Sequence, residues 1–270
     1  MTRAAPPRRL VYFGTPEMAV PPLRALVTAG FEIALVVTRI DKRRGRGSQL
    51  MPSEVKAAAV ELGLPVSHAV DDALAAGADL GVVVAFGQLI KPHILDVLPM
   101  VNLHFSLLPR WRGAAPVERA LLAGDSETGV CLMQLEEGLD TGPVYRREIV
   151  AISASTTAAA LRRELLEVGT QVLVEELRAG LGDAQPQLGE PTYAAKIRAE
   201  ELQIDWSRPP TELDRLVRLG GAWTTLRGRR LRIVASELID SSAPSSNELI
   251  GDCVGGMRLL TVQPEGRAAM

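Results

Sequence analysis

The sequence predicts an α/β domain with a mostly parallel sheet, followed by a small β-rich module. Short apolar strands alternate with helical segments over the first half of the chain, and the connections between them are short. The segment at residues 80–85 is apolar throughout, which is typical of a strand buried on both faces of a sheet. Together these observations favour a Rossmann-like architecture.

The predicted elements follow one another along the chain. Thr15 is the predicted N-cap of the first helix, because a hydroxyl there can accept from the first free backbone N–H groups. A long helix at residues 156–179 has one apolar face. Strands are predicted at residues 10–13, 32–38, 64–68, 80–85 and 129–135, and another begins at residue 100. Helices are predicted at residues 15–29, 53–62, 71–76, 92–98, 117–122 and 210–219, and short strands at 223–226, 230–235, 248–251 and 258–262.

Composition excludes several classes of protein. The net charge is −2, so binding to nucleic acid would have to come from a local basic patch. Cys131 and Cys253 show no metal-ligand spacing and fit a reduced, cytoplasmic protein. No apolar run has the length of a membrane span, and no signal peptide is expected. Neither a dinucleotide motif nor a nucleotide-phosphate loop is present.

A polar pair lies on the strand that begins at residue 100. Asn102 and His104 alternate with Val101 and Leu103, so both polar side chains belong to one face of the strand. A single buried histidine is more often a hydrogen-bonded core residue. The neighbouring asparagine and the loop that follows favour chemistry instead, since ligands of such sheets bind at the carboxyl ends of strands.

Asp140 lies in the loop that follows the strand at residues 129–135. Taken alone, it is equally well explained as a turn-forming aspartate. If it meets Asn102 and His104, the amide can donate to a carbonyl oxygen that gains charge, and the histidine and carboxylate can move a proton. Ser106 lacks the strained elbow motif of a nucleophile. The set therefore indicates acyl transfer or carbonyl chemistry.

These residues resemble a known family. The run Asn102-Leu-His104-Phe-Ser106-Leu-Leu-Pro109, then Arg110-Trp-Arg-Gly-Ala-Ala-Pro116 and Asp140-Thr-Gly142, is similar to the 10-formyltetrahydrofolate-dependent formyltransferases. The resemblance implies that Asn102 holds the formyl oxygen, that His104 supports proton transfer and that Asp140 positions His104. It also implies 10-formyltetrahydrofolate as co-substrate, without a metal. The residues expected to line the folate site are Ser106, Leu107, Leu108, Pro109, Phe86 and Gly87.

Further segments resemble the branch of the family that formylates methionyl-tRNA. They are Phe13-Gly-Thr-Pro16, Arg44-Gly-Arg-Gly47, Leu50-Met-Pro-Ser53 and Ile204-Asp-Trp206. The resemblance implies transfer of a formyl group to the α-amino group of methionyl-initiator tRNA, for the initiation of translation. The protein is expected to be a cytoplasmic monomer that does not bind a membrane. It is expected to comprise a catalytic domain at residues 1–180, a linker at 181–205 and a β-rich module at 206–270.

A basic segment at residues 39–51 is expected to be an irregular, mobile loop. A charge run of this kind is ordinarily a solvated loop. A protein of net charge −2 that binds tRNA nevertheless needs concentrated positive charge to contact phosphates. We therefore predict that Arg43, Arg44 and Arg46 bind tRNA. Arg227, Arg229, Arg230 and Arg232 of the β-rich module are expected to assist.

Two departures and two alternative functions accompany this interpretation. Phe105 stands where many members of the family carry glycine, and we expect its ring to pack away from the site. The β-rich module is short for the barrel usual in the family, so a shortened barrel is expected.

One alternative is a formyltransferase that acts on a small amine, such as an amino sugar nucleotide. The other is a folate- or RNA-binding protein without catalytic activity.

Overall fold

The structure is a computed structural model and describes residues 3–44, 49–239, 256–267 and 269. The chain divides into two compact units. Unit 1 comprises Met1–Ala114, Gly129–Val150 and Glu164–Tyr193, and unit 2 comprises Ala115–Thr128, Ala151–Arg163 and Ala194–Met270. The division into residues 1–180, 181–205 and 206–270 stays a prediction.

The described elements as far as Ala179 are strands interspersed with helices and 3-10 turns. In chain order they are β1 (Arg9–Gly14), a 3-10 turn (Glu17–Ala19), α1 (Val20–Thr28), β2 (Glu32–Val37), β3 (Lys42–Arg44), β4 (Gln49–Met51), α2 (Glu54–Glu61), β5 (Val66–Ser67), a 3-10 turn (Val70–Ala75), β6 (Leu80–Val84), α3 (Pro92–Leu95), β7 (Met100–His104), β8 (Arg112–Gly113), α4 (Pro116–Ala123), β9 (Glu127–Gln134), β10 (Val144–Ala151) and α5 (Ala158–Ala179). They continue with β11 (Tyr193–Ala194), a 3-10 turn (Ala199–Leu202), α6 (Pro210–Leu219), β12 (Trp223–Leu226), β13 (Arg229–Leu238) and β14 (Met257–Pro264).

A seven-stranded sheet in the order β10-β9-β7-β6-β1-β2-β5 forms the frame of unit 1. The pairs β1–β2, β1–β6, β2–β5 and β6–β7 are parallel, whereas β7 and β9 are antiparallel. Strand β6 is buried along its whole length, as its continuous apolar sequence predicts. The predicted mostly parallel α/β architecture is therefore confirmed.

The register of β7 decides which side chains surround Asn102 and His104. Asn102 is paired with Val83 of β6 and with Met133 of β9, and His104 is paired with Cys131. Directly paired residues project from the same face of a sheet, so apolar neighbours flank both polar side chains. The opposite face carries Leu103, which contacts helix α5 where Gly169 lets the helix backbone approach.

Two predictions about the elements of unit 1 are corrected, and one strand of the sheet was not predicted. Thr15 does not cap a helix, because a 3-10 turn precedes α1 and its hydroxyl donates to the Phe86 carbonyl at 3.1 Å. The basic segment is not irregular on either side of residues 45–48, since β3 and β4 pair as an antiparallel hairpin. Strand β10 was not predicted because its sequence, with Arg146, Arg147 and Glu148, lacks the apolar pattern of a buried strand. Charged residues of this kind suit the edge of the sheet, which β10 occupies.

Unit 2 has an antiparallel sheet in the order β12-β13-β14, which confirms a small β-rich module. Its core joins residues of α4, α5 and α6 to the inner face of this sheet, where Ile233 and Met257 are fully buried. The buried carboxylate of Asp214 accepts from Nε of Arg218 at 2.7 Å and from the Ser236 hydroxyl at 3.0 Å. The strand predicted at residues 248–251 lies outside the described residues.

Among the described residues, no helix combines the length and the apolar character needed to cross a membrane.

Gly129 of β9 allows the close approach of strand β10. A Cβ atom at this position would lie 2.0 Å from the backbone oxygen of Glu148 and 2.6 Å from Cδ2 of Leu107. Real Cβ atoms do not approach backbone oxygens this closely, so a side chain here would displace an edge strand of the sheet.

We expect Gly129→Ala to lower the free energy of unfolding by about 1–3 kcal/mol, because the added methyl group overpacks the sheet. Gly182→Ala is the matched control, since its Cβ would meet nothing closer than Cγ of Arg3 at 3.9 Å. The control should change stability by less than about 0.5 kcal/mol. Urea unfolding of both variants measures the difference, and equal stability of the two would show that β10 moves freely.

Candidate active site

Asp140 connects the polar residues of the site. Its Oδ2 accepts from the backbone N–H of Gly113 at 2.7 Å, and its Oδ1 accepts from Nδ2 of Asn102 at 3.3 Å. Nδ1 of His104 lies 3.6 Å from Oδ2 of Asp140. The side chains of His104 and Asp140 are only 6% and 11% exposed. The structure therefore brings Asn102, His104 and Asp140 together in a largely buried cluster.

The second nitrogen of His104 has a partner that fixes its proton. Nε2 lies 2.9 Å from the backbone oxygen of Trp111. A carbonyl oxygen only accepts hydrogen bonds, so Nε2 is assigned the proton from this contact. Nδ1 is the nitrogen that faces Asp140, at 3.6 Å from its Oδ2.

Two residues of the site have left-handed backbone conformations. Asp140 has a φ of +50° and Trp111 has a φ of +63°. Such values are uncommon for residues other than glycine and are found where the surrounding structure holds the backbone, often at functional sites. Both conformations serve the cluster, because one presents the carboxylate and the other presents the carbonyl that accepts from His104.

Asp140 reaches the site although its loop follows a strand that runs antiparallel to β7. In a parallel sheet, the carboxyl ends of neighbouring strands meet at one edge. Strand β9 is antiparallel to β7, however, and Gln134 near its end is paired with Val101 at the beginning of β7. The loop after β9 therefore has to return towards His104, and Asp140 is the residue that makes the contact.

The predicted folate loop is anchored by its own side chains. The Ser106 hydroxyl is fully buried and donates to the backbone oxygen of Arg110 at 2.6 Å. Leu108 packs on Cys131, Met133 and Val144, on the same face of the sheet as Asn102 and His104. Ser106 and Leu108 hold the loop in place, whereas Leu107 and Pro109 are partly exposed.

Phe86 and Gly87 follow the end of β6. The Phe86 ring is 5% exposed and contacts the Phe13 ring edge to face, with 5.4 Å between ring centroids. Its side chain therefore belongs to the core, whereas Gly87 is exposed. Phe105 is also buried, at 6% exposure, in agreement with the packing role expected for it.

Of the three arginines predicted to bind tRNA, Arg43 and Arg44 lie on β3, the first strand of the β3–β4 hairpin. Arg43 is exposed and is paired in register with Leu50. Arg44 is the last residue of β3 and is paired with Gln49. Arg46 lies outside the described residues. The hairpin follows β2 directly, and β2 runs parallel to β1.

Several residues of the site were not found from the sequence. Trp111 and Gly113 act through backbone atoms, which carry no signature of residue type. Gln187 donates to the backbone oxygens of Asp140 and Gly142, each at 2.8 Å. Thr192 accepts from the backbone N–H of Trp111 at 2.9 Å. Both lie in the segment after α5, where a polar composition indicated only a linker.

Comparison with known proteins identifies the family. The profile of the family "Formyl transferase" matches residues 8–177, and that of "Formyl transferase, C-terminal domain" matches residues 196–270. The chain belongs to the formyl transferase family. This agrees with the acyl-transfer chemistry that the residues of the site indicate.

Formyl transferases from bacteria are close in sequence over almost the whole chain. "Methionyl-tRNA formyltransferase" of Dinoroseobacter shibae is 46% identical and is aligned over 97% of this chain and 94% of its own length. The protein of the same name from Roseobacter denitrificans is 46% identical over 96% of this chain and 92% of its own length. These names favour the tRNA branch over the alternative of a small amine substrate.

Two solved structures show the same fold at low sequence identity. An N-formyltransferase from Helicobacter canadensis, in complex with folinic acid and dTDP-3-aminofucose, superposes with a TM-score of 0.68 at 19% identity, over 90% of both chains. HypX from Aquifex aeolicus in complex with tetrahydrofolic acid gives a TM-score of 0.65 at 16% identity, over 98% of this chain and 46% of that one.

Cys131 lies beside the site of this formyl transferase but is unsuited to nucleophilic catalysis. It is fully buried and pairs with His104 across β7 and β9. Burial raises the pKa of its thiol to about 11, although a backbone hydrogen bond from Leu108 and the charge of Arg147 oppose the increase. The thiol therefore stays protonated near neutral pH, and a thiolate is the form that attacks.

We expect Cys131 to resist alkylation by iodoacetamide at pH 8 in the folded protein, because about one thiol in a thousand is ionised there and the sulfur is buried. The measurement uses a Cys253→Ser background, so that Cys131 is the thiol observed. Unfolding in urea should expose it to complete labelling within minutes. Rapid labelling of the folded protein, followed by mass spectrometry, would contradict the burial of this residue.

Proposed function

We propose that this formyl transferase moves a formyl group from 10-formyltetrahydrofolate to the α-amino group of methionyl-tRNA, with the initiator tRNA as substrate. The observation that supports it best is the convergence of Asn102, His104 and Asp140 in one buried cluster. The relatives named methionyl-tRNA formyltransferase align with this chain over almost their whole length. The proposal includes a cytoplasmic, monomeric protein.

Asn102 is the proposed donor to the formyl oxygen. An asparagine amide has two N–H groups, and one of them donates to Oδ1 of Asp140. The second is free to stabilise the negative charge that develops on the formyl oxygen when an amine attacks the formyl carbon. Asp140 fixes the orientation of this amide, because its acidic oxygen accepts only from the nitrogen end of the side chain.

His104 and Asp140 are the proposed route for the proton. The reaction forms a bond between the amine nitrogen and the formyl carbon, and it breaks the bond from that carbon to the folate nitrogen. One proton leaves the amine and one arrives at the folate nitrogen, so the pair has to transfer a proton without net gain. The burial of both side chains strengthens their interaction compared with a pair in water.

The folate is proposed to bind beside the loop Ser106–Pro109 and the turn at Phe86 and Gly87. The side chains of Ser106, Leu108 and Phe86 are buried in internal contacts, so we assign binding to the backbone of these segments. The loop begins two residues after His104, at the carboxyl end of β7. This position suits a co-substrate that has to present its formyl group to Asn102 and His104.

The tRNA is proposed to bind at the β3–β4 hairpin. Lys42 and Arg43 are exposed there, and Arg44 and Arg46 follow within the same segment. Four positive charges within five residues of the sequence concentrate the positive charge that phosphate contacts require on a protein of net charge −2. The hairpin supports the two ends of this segment, so less ordering is required when tRNA binds than for an irregular loop.

We expect His104→Ala to lower kcat for formylation of methionyl-tRNA by about 10³-fold, because proton transfer in the transition state is lost. The affinity for tRNA should stay the same. His93→Ala is the control, since this histidine is half exposed and pairs with Asp71. An assay with 10-formyltetrahydrofolate and either charged initiator tRNA or a panel of small amines also tests the substrate. Preference for a small amine would refute the proposed function.

We expect the triple variant Arg43→Gln, Arg44→Gln and Arg46→Gln to raise the KM for tRNA. It should also reduce the slope of log affinity against log salt concentration by about 0.9 for each phosphate contact that is lost. The control triple, Arg8→Gln, Arg24→Gln and Arg178→Gln, removes the same charge outside the β3–β4 hairpin. An effect on folate alone, or an equal effect of the control, would disprove a direct role for the hairpin.

A further inference from the structure

Gln187 contacts both of the loops that meet at the carboxylate of Asp140. Its Nε2 donates to the backbone oxygens of Asp140 and Gly142, each at 2.8 Å. Its Oε1 accepts from Nε of Arg112 at 3.1 Å and from Nη2 of Arg112 at 2.6 Å. Both N–H groups and both lone pairs of this amide therefore have partners.

The chemistry of these partners allows only one orientation of the amide. Backbone oxygens only accept, and a guanidinium only donates, so a rotation of the amide by 180° would turn all four contacts into repulsions. Gln187 is thus a rigid connection between Arg112 on one loop and Asp140 with Gly142 on the other. These four contacts distinguish Gln187 from a solvated glutamine of a linker.

The loop that carries Asp140 needs a restraint of this kind. The left-handed conformation of Asp140 persists only where neighbouring contacts hold it. Gly142 approaches the strand so closely that a Cβ there would lie 2.0 Å from the backbone oxygen of Gln134. Gln187 binds the backbone oxygen on each side of Thr141, which fixes the direction in which the Asp140 side chain leaves the loop.

Gln187 holds the other loop at Arg112, between two residues whose backbone groups contact His104 and Asp140. Arg112 stands between Trp111, whose backbone oxygen accepts from His104, and Gly113, whose N–H donates to Asp140. A shift of Arg112 would therefore move both of these backbone groups. By joining Arg112 to the loop of Asp140, Gln187 sets the distance between the carboxylate and the groups that it contacts.

We propose that Gln187 is a positioning residue for formyl transfer, which acts by holding the Asp140 loop against the Arg112 loop. The inference rests on the proposed function, since it assigns Asp140 to the reaction. Gln187 itself contacts backbone atoms and Arg112, and it acts on the reaction through Asp140. Preorganised geometry of this kind matters because a displacement of about 1 Å in a reacting group costs about 10²-fold in rate.

The test compares Gln187→Met with Gln185→Met in the full-length protein. Methionine has a similar length but cannot make the four hydrogen bonds. Gln185 lies two residues earlier and is exposed, and its side chain donates to the Asp183 backbone oxygen at 3.3 Å. We expect Gln187→Met to lower kcat by about 10–100-fold and to change the KM of each substrate by less than about threefold. Gln185→Met should match the wild type.

A second measurement does not depend on any reaction. Amide hydrogen exchange at Gly113, followed by NMR, reports the hydrogen bond from its N–H to Asp140. Gln187→Met should accelerate this exchange by at least about tenfold, while amides of the central strand β6 keep their protection. Gln187→Glu provides a second variant, because it keeps the acceptor for Arg112 and loses the donor to the two backbone oxygens. We expect it to accelerate the same exchange.

Unchanged kcat, or unchanged exchange at Gly113, in a folded variant would overturn the proposal. A change confined to KM would also overturn it, because that result would assign Gln187 to substrate binding. If the wild-type protein failed to formylate methionyl-tRNA, the proposed function would fall. The exchange at Gly113 would still show whether Gln187 holds the two loops together.

Discussion

The geometry of the site depends on the hydrogen bonds that one buried carboxylate requires. Asp140 is largely removed from water, so its two oxygens require donors from the protein. Gly113 and Asn102 supply them, and His104 lies within reach of the same carboxylate. Asn102 and His104 lie on β7, Gly113 lies nine residues after His104, and Asp140 itself lies in the more distant loop after β9. The positions of β7, of the loop after it and of the loop after β9 are thereby coupled through a single side chain.

The sheet makes this coupling possible because one face of β7 packs against a helix, while the other face carries the polar residues of the site. One face of the strand carries Leu103, which contacts helix α5. The other face carries Asn102 and His104 between the apolar side chains of Val83 and Met133. Apolar neighbours leave these two residues few alternative partners, so their hydrogen bonds are directed to Asp140 and to the Trp111 backbone. A period of two in the sequence is enough to produce this division.

The alternation of side chains along a strand also explains which part of the site could be predicted from the sequence. Asn102 and His104 were recognisable because a regular strand fixes the direction of its side chains. Asp140 was recognisable from the family resemblance. The antiparallel direction of β9 relative to β7 was not, since pairing direction is set by contacts between distant segments. Trp111 and Gly113 could not be found because they act through backbone groups, which every residue possesses. The pairing of β3 with β4 was missed because exposed, charged residues carry little apolar pattern, and Gln187 was missed because a linker gives none.

The internal contacts around the site also decide between two forms of acyl transfer. A covalent route requires a side-chain nucleophile that a neighbouring base activates. The Ser106 hydroxyl is buried and donates to the backbone of Arg110, and the Cys131 thiol has its pKa raised to about 11 by burial. Both groups beside His104 that could attack a formyl carbon are therefore in unsuitable states. His104 is itself held between the Trp111 carbonyl and Asp140, in the position from which we propose that it transfers protons. A site of this composition favours direct attack by an incoming amine, which brings its own nucleophile and needs only an oxyanion donor and a proton route.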